Sequence, residues 1–152
     1  MKPSEKLTEM NLSLPNVAQP VGMYVPATIV GNLAYTSGQI PIKAGDVLFQ
    51  GKVGDTVSLE DAQNAAQVCA LNALAAIASI SGGIDKISRI IRLCVFVAST
   101  PDFTDQPKVA NAASELCGAL FGEAGKHVRS AVGVASLPLN VSVELEMIAE
   151  LA

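Results

Sequence analysis

Apolar and polar positions along the 152 residues follow two periods, one typical of strands and one typical of helices. Residues 4–11 favour a short helix capped by Ser4, and a proline-punctuated extended arm follows them. Residues 27–42 predict two short strands joined by a tight turn at Gly31-Asn32. A Gly- and Asp-rich stretch with one short strand then leads to the first long helical segment.

Two stretches have the apolar content and the boundary residues of longer helices. The first helix is predicted to begin after Ser58, a good N-cap that precedes two acidic residues, and to end at Gly82-Gly83. The second helix is predicted over residues 108–122. Residues 86–99, which lie between the two helices, alternate like a strand.

The chain closes with two predicted strands, residues 127–138 and 140–151, in which ionisable side chains occur among small apolar ones. Because successive side chains of a strand point to opposite faces, the valines share one face and the ionisable groups share the other. We expect the valines to face the helices, and His127, Arg129 and Glu144 to lie on the opposite face of the sheet.

This order of elements predicts an α+β fold with a mixed β-sheet and both helices packed on one face. We interpret residues 1–152 as a single domain, with residues 1–20 as an N-terminal helix and arm. The chain is 50% hydrophobic and only 16% charged. An uncovered sheet face of that composition is expected to be buried between the subunits of a homo-oligomer.

Charge and cysteine spacing argue against several classes of protein. The net charge is −4 and the Lys and Arg residues are scattered, whereas nucleic-acid surfaces need clustered cations. Three distant cysteines and a single histidine form no metal-ligand motif, and they are typical of reduced thiols in the cytoplasm. We therefore expect no nucleic-acid partner, no metal and a cytoplasmic location.

The uncharged stretch from residue 62 to residue 84 raises the question of a membrane span. It contains glutamines, asparagines and serines, and its commonest residue is alanine, which contributes little to membrane insertion. The first residues of the chain also lack the apolar core of a signal peptide. We expect a buried helix of the fold and no membrane partner.

Arg129 is the first candidate for chemistry, and two interpretations of it stay open. It can form an exposed cross-strand pair with Glu144 or Glu146, which would contribute little stability. Alternatively, it lies in a cleft between subunits, where its planar fork would bind a carboxylate and Glu144 would act as an acid or base. The TSGQIP stretch at residues 36–41 is the second candidate, since a glycine at a strand end lets a ligand approach the backbone.

Several motifs together resemble those of the RidA/YjgF family of reactive-intermediate deaminases. They are Tyr24 in the arm, YTSGQIP at 35–41, VFVAST at 95–100 and, most specifically, RSAVGVASLPLNVSVELEMIA at 129–149. The resemblance implies a chorismate-mutase-like sandwich whose sheets form the inner barrel of a homotrimer, with ligand clefts between subunits. It also implies hydrolysis of enamine/imine intermediates of the 2-aminoacrylate/2-iminopropanoate type to 2-oxo acids and ammonia, without a cofactor.

The resemblance also implies roles for residues of this sequence. Arg129 would hold the substrate carboxylate, and Glu144 would position or activate the attacking water. Ala131 stands where the best-studied branch of the family has a cysteine, so only its backbone groups can bind ligand. No role is assigned to His127. The residues that would line the cleft are Tyr24, Ser37, Gly38, Asn111 and Ala131.

Two other functions stay open from the sequence. The first is non-catalytic binding of small 2-oxo acids or related metabolites, with a regulatory role. The second is endoribonuclease activity, a label that some relatives carry and against which the net charge of −4 weighs. For the deaminase and for the binder alike, the partner is a small carboxylate-bearing imine, enamine or 2-oxo acid.

Overall fold

The computed structural model describes residues 1–17 and 19–152, and a five-stranded sheet forms the centre of that part of the chain. The three helices are α1 (Pro3–Glu9), α2 (Leu59–Ser81) and α3 (Gln106–Phe121), and the strands are β1 (Ala27–Val30), β2 (Leu33–Thr36), β3 (Ile42–Lys43), β4 (Asp46–Val47), β5 (Ile87–Ala98), β6 (Val128–Val134) and β7 (Val143–Leu151). Short 3₁₀ turns cover Ile84–Lys86, Gly122–Gly125 and Pro138–Asn140.

The sheet has the strand order β1-β2-β7-β5-β6 and is mixed. Strands β5 and β6 run parallel because α3 connects them as a crossover, and the other neighbours pair antiparallel. The tight turn at Gly31-Asn32 joins β1 to β2, as predicted. The remaining strands, β3 and β4, form a separate two-stranded hairpin. The predicted α+β sandwich with a mixed sheet is therefore confirmed.

Helices α2 and α3 pack on each other and on the same face of the sheet. The α2 N-terminus is capped as predicted, because the backbone N–H of Asp61 donates to the Ser58 hydroxyl at 3.1 Å. Alanines are the commonest buried residues of α2, and their small side chains let the helix lie close to α3 and to the strands below. The core between these layers is aliphatic and includes Leu74, Ile77, Leu93, Leu120, Leu145 and Met147.

The first helix begins earlier than predicted, at Pro3, with Lys2 rather than Ser4 as its N-cap. Ser4 lies inside the first turn, where its backbone N–H and its hydroxyl both donate to the Asp85 carboxylate, at 2.9 and 2.7 Å. These two hydrogen bonds lower the pKa of Asp85. They also fasten α1 to the turn that follows α2.

By length and hydropathy alone, α2 could cross a membrane, since its most apolar 18-residue window has a mean hydropathy of 1.3. More than half of that window, 56%, is buried inside the fold. Buried apolar side chains of this kind are common in the core helices of folded proteins. The alanine-rich composition of the stretch had predicted such a buried helix.

The predicted assignment of faces on β6 is wrong. Val128 and Val132 are 62% and 44% exposed, whereas Arg129 contacts α3 and Ala131 packs against the core. The parallel register explains this reversal, because Arg129 lies beside Leu93, which is fully buried under the helices.

Close packing explains why small residues occupy the helix-facing positions of β6. A methyl group at Gly133 would lie 2.7 Å from Nε2 of Gln106, at the start of α3, and 2.9 Å from the hydroxyl of Ser99. A larger side chain at Gly133 would have to displace these two side chains. Val128 and Val132 point instead to the face of the sheet that the helices leave uncovered, which we call the open face.

On β7 the expected alternation is confirmed. Val143, Leu145 and Met147 are buried under the helices, and the residues between them point to the open face. Glu144 lies beside Phe96 of β5 on that face. Arg129 and Glu144 therefore lie on opposite faces of the sheet.

Candidate functional site

The residues that the sequence nominated lie in two groups. The first group is a cavity, which we call the Gly38 pocket, lined by the N-terminal arm, the loop after β2 and the turn at Pro138 and Leu139, together with the carboxylate of Glu144 that lies next to Gly38. The second, which we call the Arg129 cluster, lies between β6 and α3 and consists of Asn111, Ser114, His127 and Arg129.

The Gly38 pocket is a cavity of about 360 Å³, with walls from the arm, the loop after β2 and the turn at Pro138 and Leu139. Tyr24 lines it and is 56% exposed. Ser37 ties the arm to the end of β2, because its hydroxyl donates to the carbonyl of Val25 at 2.6 Å and its N–H donates to that of Pro26 at 2.8 Å. Ser37 thus fixes the wall that carries Tyr24.

A buried amide from α2 holds the opposite wall of the pocket. The side-chain nitrogen of Asn72 donates to the carbonyls of Ile40 and Ile42, at 3.0 and 2.9 Å. Ile40 and Ile42 both line the cavity. The position of this loop is therefore set by the core helix rather than by the loop itself.

Gly38 brings the backbone of the pocket against the carboxylate of Glu144. Gln39 and Leu145 exchange backbone hydrogen bonds of 2.8 and 2.9 Å as an antiparallel pair, which places Gly38 across from Glu146 and diagonally next to Glu144. A methyl group at position 38 would lie 2.9 Å from Cδ of Glu144, nearer than side-chain carbons approach each other. Only glycine leaves the carboxylate in this position.

Glu144 is half-buried, and within residues 1–17 and 19–152 its carboxylate makes no hydrogen bond or ion pair. Burial raises the pKa of Glu144 above its usual range, and the neighbouring charge of Glu146 raises it further. A carboxylate with a raised pKa accepts a proton from water more readily than an exposed one does.

In the Arg129 cluster, α3 holds one side of the guanidinium. Nη1 donates to Oδ1 of Asn111 at 2.9 Å and to the hydroxyl of Ser114 at 3.1 Å, and Nη2 reaches the carbonyl of Pro107 at 3.5 Å. The Nε–H and one hydrogen of Nη2 find no acceptor within the described residues. That pair forms the side-on fork that binds a carboxylate with two parallel hydrogen bonds.

Sequence reasoning missed Ser114 and left His127 without a role. Ser114 follows Asn111 by three residues, so both lie on the side of α3 that faces β6. His127 precedes Arg129 by two, which places its ring on the same face of β6. Helical and strand periodicity together could have found this cluster if the faces of β6 had been assigned correctly.

The cysteines lie outside both groups. Cys69 and Cys117 are buried, and burial raises the pKa of Cys69 well above its usual range and that of Cys117 to about 12. Cys94 is partly exposed and lies beside Glu146 on the open face. Among the residues described, no three His, Cys, Asp or Glu side chains come together as metal ligands.

The structure brings Asn111 to Arg129 and Gly38 to Glu144, and Tyr24, Ser37 and Gly38 line one cavity. It does not bring Arg129 to Glu144, and the expectation that His127, Arg129 and Glu144 all lie on the face away from the helices is wrong for His127 and Arg129. Ala131 lies on the helix-facing side of β6 with Arg129 and is partly buried. One chain thus carries two separate groups of candidate residues, the Arg129 cluster on one side of the sheet and Glu144 on the other.

Comparison with known proteins places this architecture in a family. The family model described as "YjgF/chorismate_mutase-like, putative endoribonuclease" matches residues 4–151. The chain is also 38% identical over 146 residues to "Protein TCP17" of Trypanosoma cruzi, which covers 95% of this chain and 91% of that protein. The chain belongs to the YjgF/RidA family.

Other members of the YjgF/RidA family carry more specific names. The chain is 34% identical over 138 residues to a "2-iminobutanoate/2-iminopropanoate deaminase" of Escherichia coli (strain K12), with 88% of this chain and 91% of that protein covered. Relatives thus include imine deaminases.

Two solved structures have folds similar to that of this chain. The protein Atu1372 from Agrobacterium tumefaciens, of unknown function, superposes with a TM-score of 0.91 at 45% identity, covering 99% of this chain and 92% of that one. E. coli TdcF with bound serine superposes with a TM-score of 0.67 at 26% identity, covering 91% and 94%.

Proposed function

We propose that this protein hydrolyses reactive enamine/imine intermediates of the 2-aminoacrylate/2-iminopropanoate type to 2-oxo acids and ammonia. The observation that carries the proposal is the guanidinium of Arg129, held on one side by Asn111 and Ser114 so that its Nε–Nη2 edge is free for a carboxylate. The 34% identity to an E. coli imine deaminase supports the same reaction.

We infer that a complete site forms between two protomers of a homotrimer. Arg129 and Glu144 lie on opposite faces of one sheet, so a second chain has to supply the missing half. The open face exposes Val128, Val132 and Tyr35, and such apolar surface favours burial against another copy. Each site would combine Arg129 and the backbone of Ala131 from one protomer with the Gly38 pocket and Glu144 from its neighbour.

In the proposed mechanism, Arg129 binds the substrate carboxylate and so orients the iminium carbon toward the neighbour's Glu144. Glu144 accepts a proton from a water molecule as the water oxygen forms a bond to that carbon, which gives a carbinolamine. Glu144 then passes the proton to the amino group. The C–N bond breaks as the carbinolamine hydroxyl gives its proton back to Glu144, so the carbonyl of the 2-oxo acid forms and ammonia leaves with its electron pair; ammonia then takes up the proton from Glu144. The raised pKa of Glu144 suits these proton transfers.

The reaction needs an electrophilic carbon, which the substrate supplies, and an oriented water, which Glu144 would supply opposite the carboxylate bound by Arg129. We therefore propose that no cofactor takes part. We also propose a cytoplasmic location, because Cys69, Cys94 and Cys117 are free thiols, as expected in a reducing compartment.

The second candidate function is binding of small 2-oxo acids or related metabolites without turnover. The fork of Arg129 suffices for binding, and Ala131 offers no thiol to the ligand. The bound serine in the TdcF structure supports an amino-acid-sized ligand in this fold. Endoribonuclease activity has less support, since the net charge of −4 disfavours binding to a phosphate backbone.

The deciding experiment generates 2-iminobutanoate in solution with an amino-acid oxidase and follows its loss through trapping by semicarbazide. We expect the purified protein to lower trapping, and Arg129→Ala to reduce kcat/KM on the order of 100-fold, since two charge-assisted hydrogen bonds are lost. Arg89→Ala is the matched control, because Arg89 forms an exposed ion pair with Glu150 at 3.0 Å and belongs to neither the Gly38 pocket nor the Arg129 cluster.

Wild-type activity that survives in Arg129→Ala would refute the assigned role of Arg129. Saturable binding of 2-oxobutanoate without loss of the imine would favour the binder instead. Cleavage of RNA by the protein, absent from a mock purification, would favour the nuclease. Light scattering of the same sample gives the mass of the assembly, which should equal three chains.

A further inference from the structure

The Arg129 cluster contains a directed chain of hydrogen bonds that ends at the guanidinium. His127 lies 2.7 Å through Nδ1 from the carbonyl of Gly125 and 2.9 Å through Nε2 from the hydroxyl of Ser114. The same hydroxyl lies 3.1 Å from Nη1 of Arg129. The first two links therefore share the His127 ring, and the last two share the Ser114 oxygen.

The direction of this chain follows from the chemistry of its two ends. A carbonyl only accepts, so Nδ1 of His127 carries a hydrogen and donates it to Gly125. In the neutral ring Nε2 is then an acceptor, and the Ser114 hydroxyl donates to it. A lone pair of Ser114 is left facing Arg129, whose nitrogens can only donate.

Without His127, the hydroxyl of Ser114 would be free to turn. A serine within a helix commonly donates to the carbonyl one turn earlier, and a hydroxyl turned that way no longer presents the same lone pair to a neighbour. The imidazole holds the Ser114 hydroxyl pointing toward β6. This contact fixes one of the two acceptors of Nη1, and Asn111 is the other.

We propose that Ser114 and His127 are positioning residues that set the orientation of Arg129, so that its Nε–Nη2 edge faces the carboxylate of the ligand. The carboxylate-binding role of Arg129 rests on the proposed function. The hydrogen-bond chain itself does not, because all its members belong to one protomer. Neither residue is assigned any contact with the substrate or a part in the proton transfers.

The first test is spectroscopic and requires no ligand. His127 is the chain's only histidine, so ¹⁵N-histidine labelling gives a single imidazole in a long-range ¹H–¹⁵N spectrum. At a pH where the ring is neutral, we expect the tautomer with the hydrogen on Nδ1 in the wild type. We expect the share of the Nε2–H tautomer to rise in Ser114→Ala. A wild type with the hydrogen mainly on Nε2 would overturn the proposal.

The same labelling strategy reports on Arg129. The arginines of the chain are Arg89, Arg92 and Arg129, so an Arg129→Lys variant assigns the Nε–H signal. We expect restricted guanidinium rotation for Arg129 in the wild type, faster rotation in Ser114→Ala and His127→Ala, and restriction restored in Ser114→Thr. Ser79→Ala is the matched control, since the Ser79 hydroxyl lies in α2 and donates to Ala76 at 2.7 Å.

The last test is calorimetric binding of 2-oxobutanoate. Loss of one positioning hydrogen bond should weaken binding about fivefold in Ser114→Ala, and Ser114→Thr should restore it. Binding by Ser114→Ala as tight as that of the wild type, while Arg129→Ala fails to bind, would overturn the positioning role. If the wild type binds nothing, the proposed function loses its support and the rotation of Arg129 alone decides for or against positioning.

Discussion

At the scale of single residues, the protein separates a cation that can bind a carboxylate from a carboxylate that can accept a proton. The Nη1 group of the Arg129 guanidinium donates hydrogen bonds to Asn111 and Ser114, and within the described residues its Nε–Nη2 edge is free for a ligand. Glu144 is the proton acceptor of the pair: its carboxylate is half-buried, and burial raises its pKa. Both properties follow from immediate neighbours, and both can be tested by changing one side chain.

The raised pKa of Glu144 predicts the direction in which stability depends on pH. The folded state binds the Glu144 proton more tightly than the unfolded state, so stability falls as the pH rises from the ordinary value of 4.5 through the raised folded value. Because glutamine carries no titrating group, the Glu144→Gln variant does not lose this stability as the pH rises. Its free energy of unfolding in urea, relative to the wild type, should rise across that window and then level off.

Glu115→Gln is the control for this titration, because Glu115 is exposed on α3. Its stability should follow that of the wild type at every pH. A Glu144→Gln variant that loses stability relative to the wild type as the pH rises would contradict the assigned environment of Glu144.

Gly38→Ala tests the contact between the pocket backbone and Glu144. The added methyl would lie 2.9 Å from Cδ of Glu144, so the carboxylate has to move. We expect deaminase kcat to fall by about tenfold or more, since small displacements of a catalytic group are costly. Because Glu144 is partly exposed and can swing away, the circular dichroism spectrum should not change.

A double-mutant cycle isolates this effect of Gly38→Ala. In a Glu144→Ala background the methyl has no carboxylate to displace, so Gly38→Ala should lower the residual activity little further. Equal losses in both backgrounds would show that the methyl acts on something other than Glu144.

At the scale of elements, the boundaries of α2 followed from local chemistry. The N-cap Ser58 and the glycine after Ser81 both depend on residues adjacent in sequence, and both were predicted. The alternation on β7 was predicted as well, because its inward residues Val143, Leu145 and Met147 are apolar and the glutamates between them are charged. Local patterns were sufficient for these elements.

The faces of β6 could not be assigned from the sequence. Period 2 divides a strand into two faces but does not say which one the helices cover. Valine usually lies inward, yet α3 approaches so closely that Ala131 and Gly133 take the inward positions. The same reversal hid the cluster of Ser114, His127 and Arg129, whose members come together only through the packing of α3 on β6.

The cap of α2 gives a prediction at this scale. Ser58→Ala removes the acceptor for the Asp61 N–H and should lower the free energy of unfolding by about 1 kcal/mol. Ser58→Asp keeps an acceptor oxygen and should retain most of the stability. Urea unfolding followed by circular dichroism measures both variants, and equal stabilities of Ser58→Ala and the wild type would show that the cap contributes nothing.

At the scale of the whole molecule, the Arg129 cluster and the Glu144 carboxylate are separated by the thickness of the sheet. The family resemblance implied a homotrimer with clefts between subunits, and this assembly stays a prediction. Fold class and family were predictable because the closing motif at 129–149 is long and specific. The placement of Arg129 and Glu144 on opposite faces depended on which side of β6 faces α3, which no motif encodes.

Mixed assemblies test whether two chains share one site. Under the proposed mechanism, Arg129→Ala and Glu144→Gln chains each retain little activity when expressed alone, and the test co-expresses them. In a randomly mixed cyclic trimer, about a quarter of the boundaries would combine an intact Arg129 with an intact Glu144, so about a quarter of the wild-type activity should return.

The control for mixing replaces the Glu144→Gln chain with an Arg129→Ala/Glu144→Gln chain, which offers no intact guanidinium. This mixture should stay inactive. Inactivity of the first mixture as well, in assemblies of the same mass as the wild type, would mean that each site is built from a single chain.

The placement of Arg129 and Glu144 on opposite faces of one sheet also affects how activity depends on dilution. A newly synthesised chain would carry every required side chain and yet have no turnover until it meets other copies. Specific activity should therefore rise steeply with protein concentration over the range in which chains associate, and the onset of catalysis would report the assembly equilibrium directly.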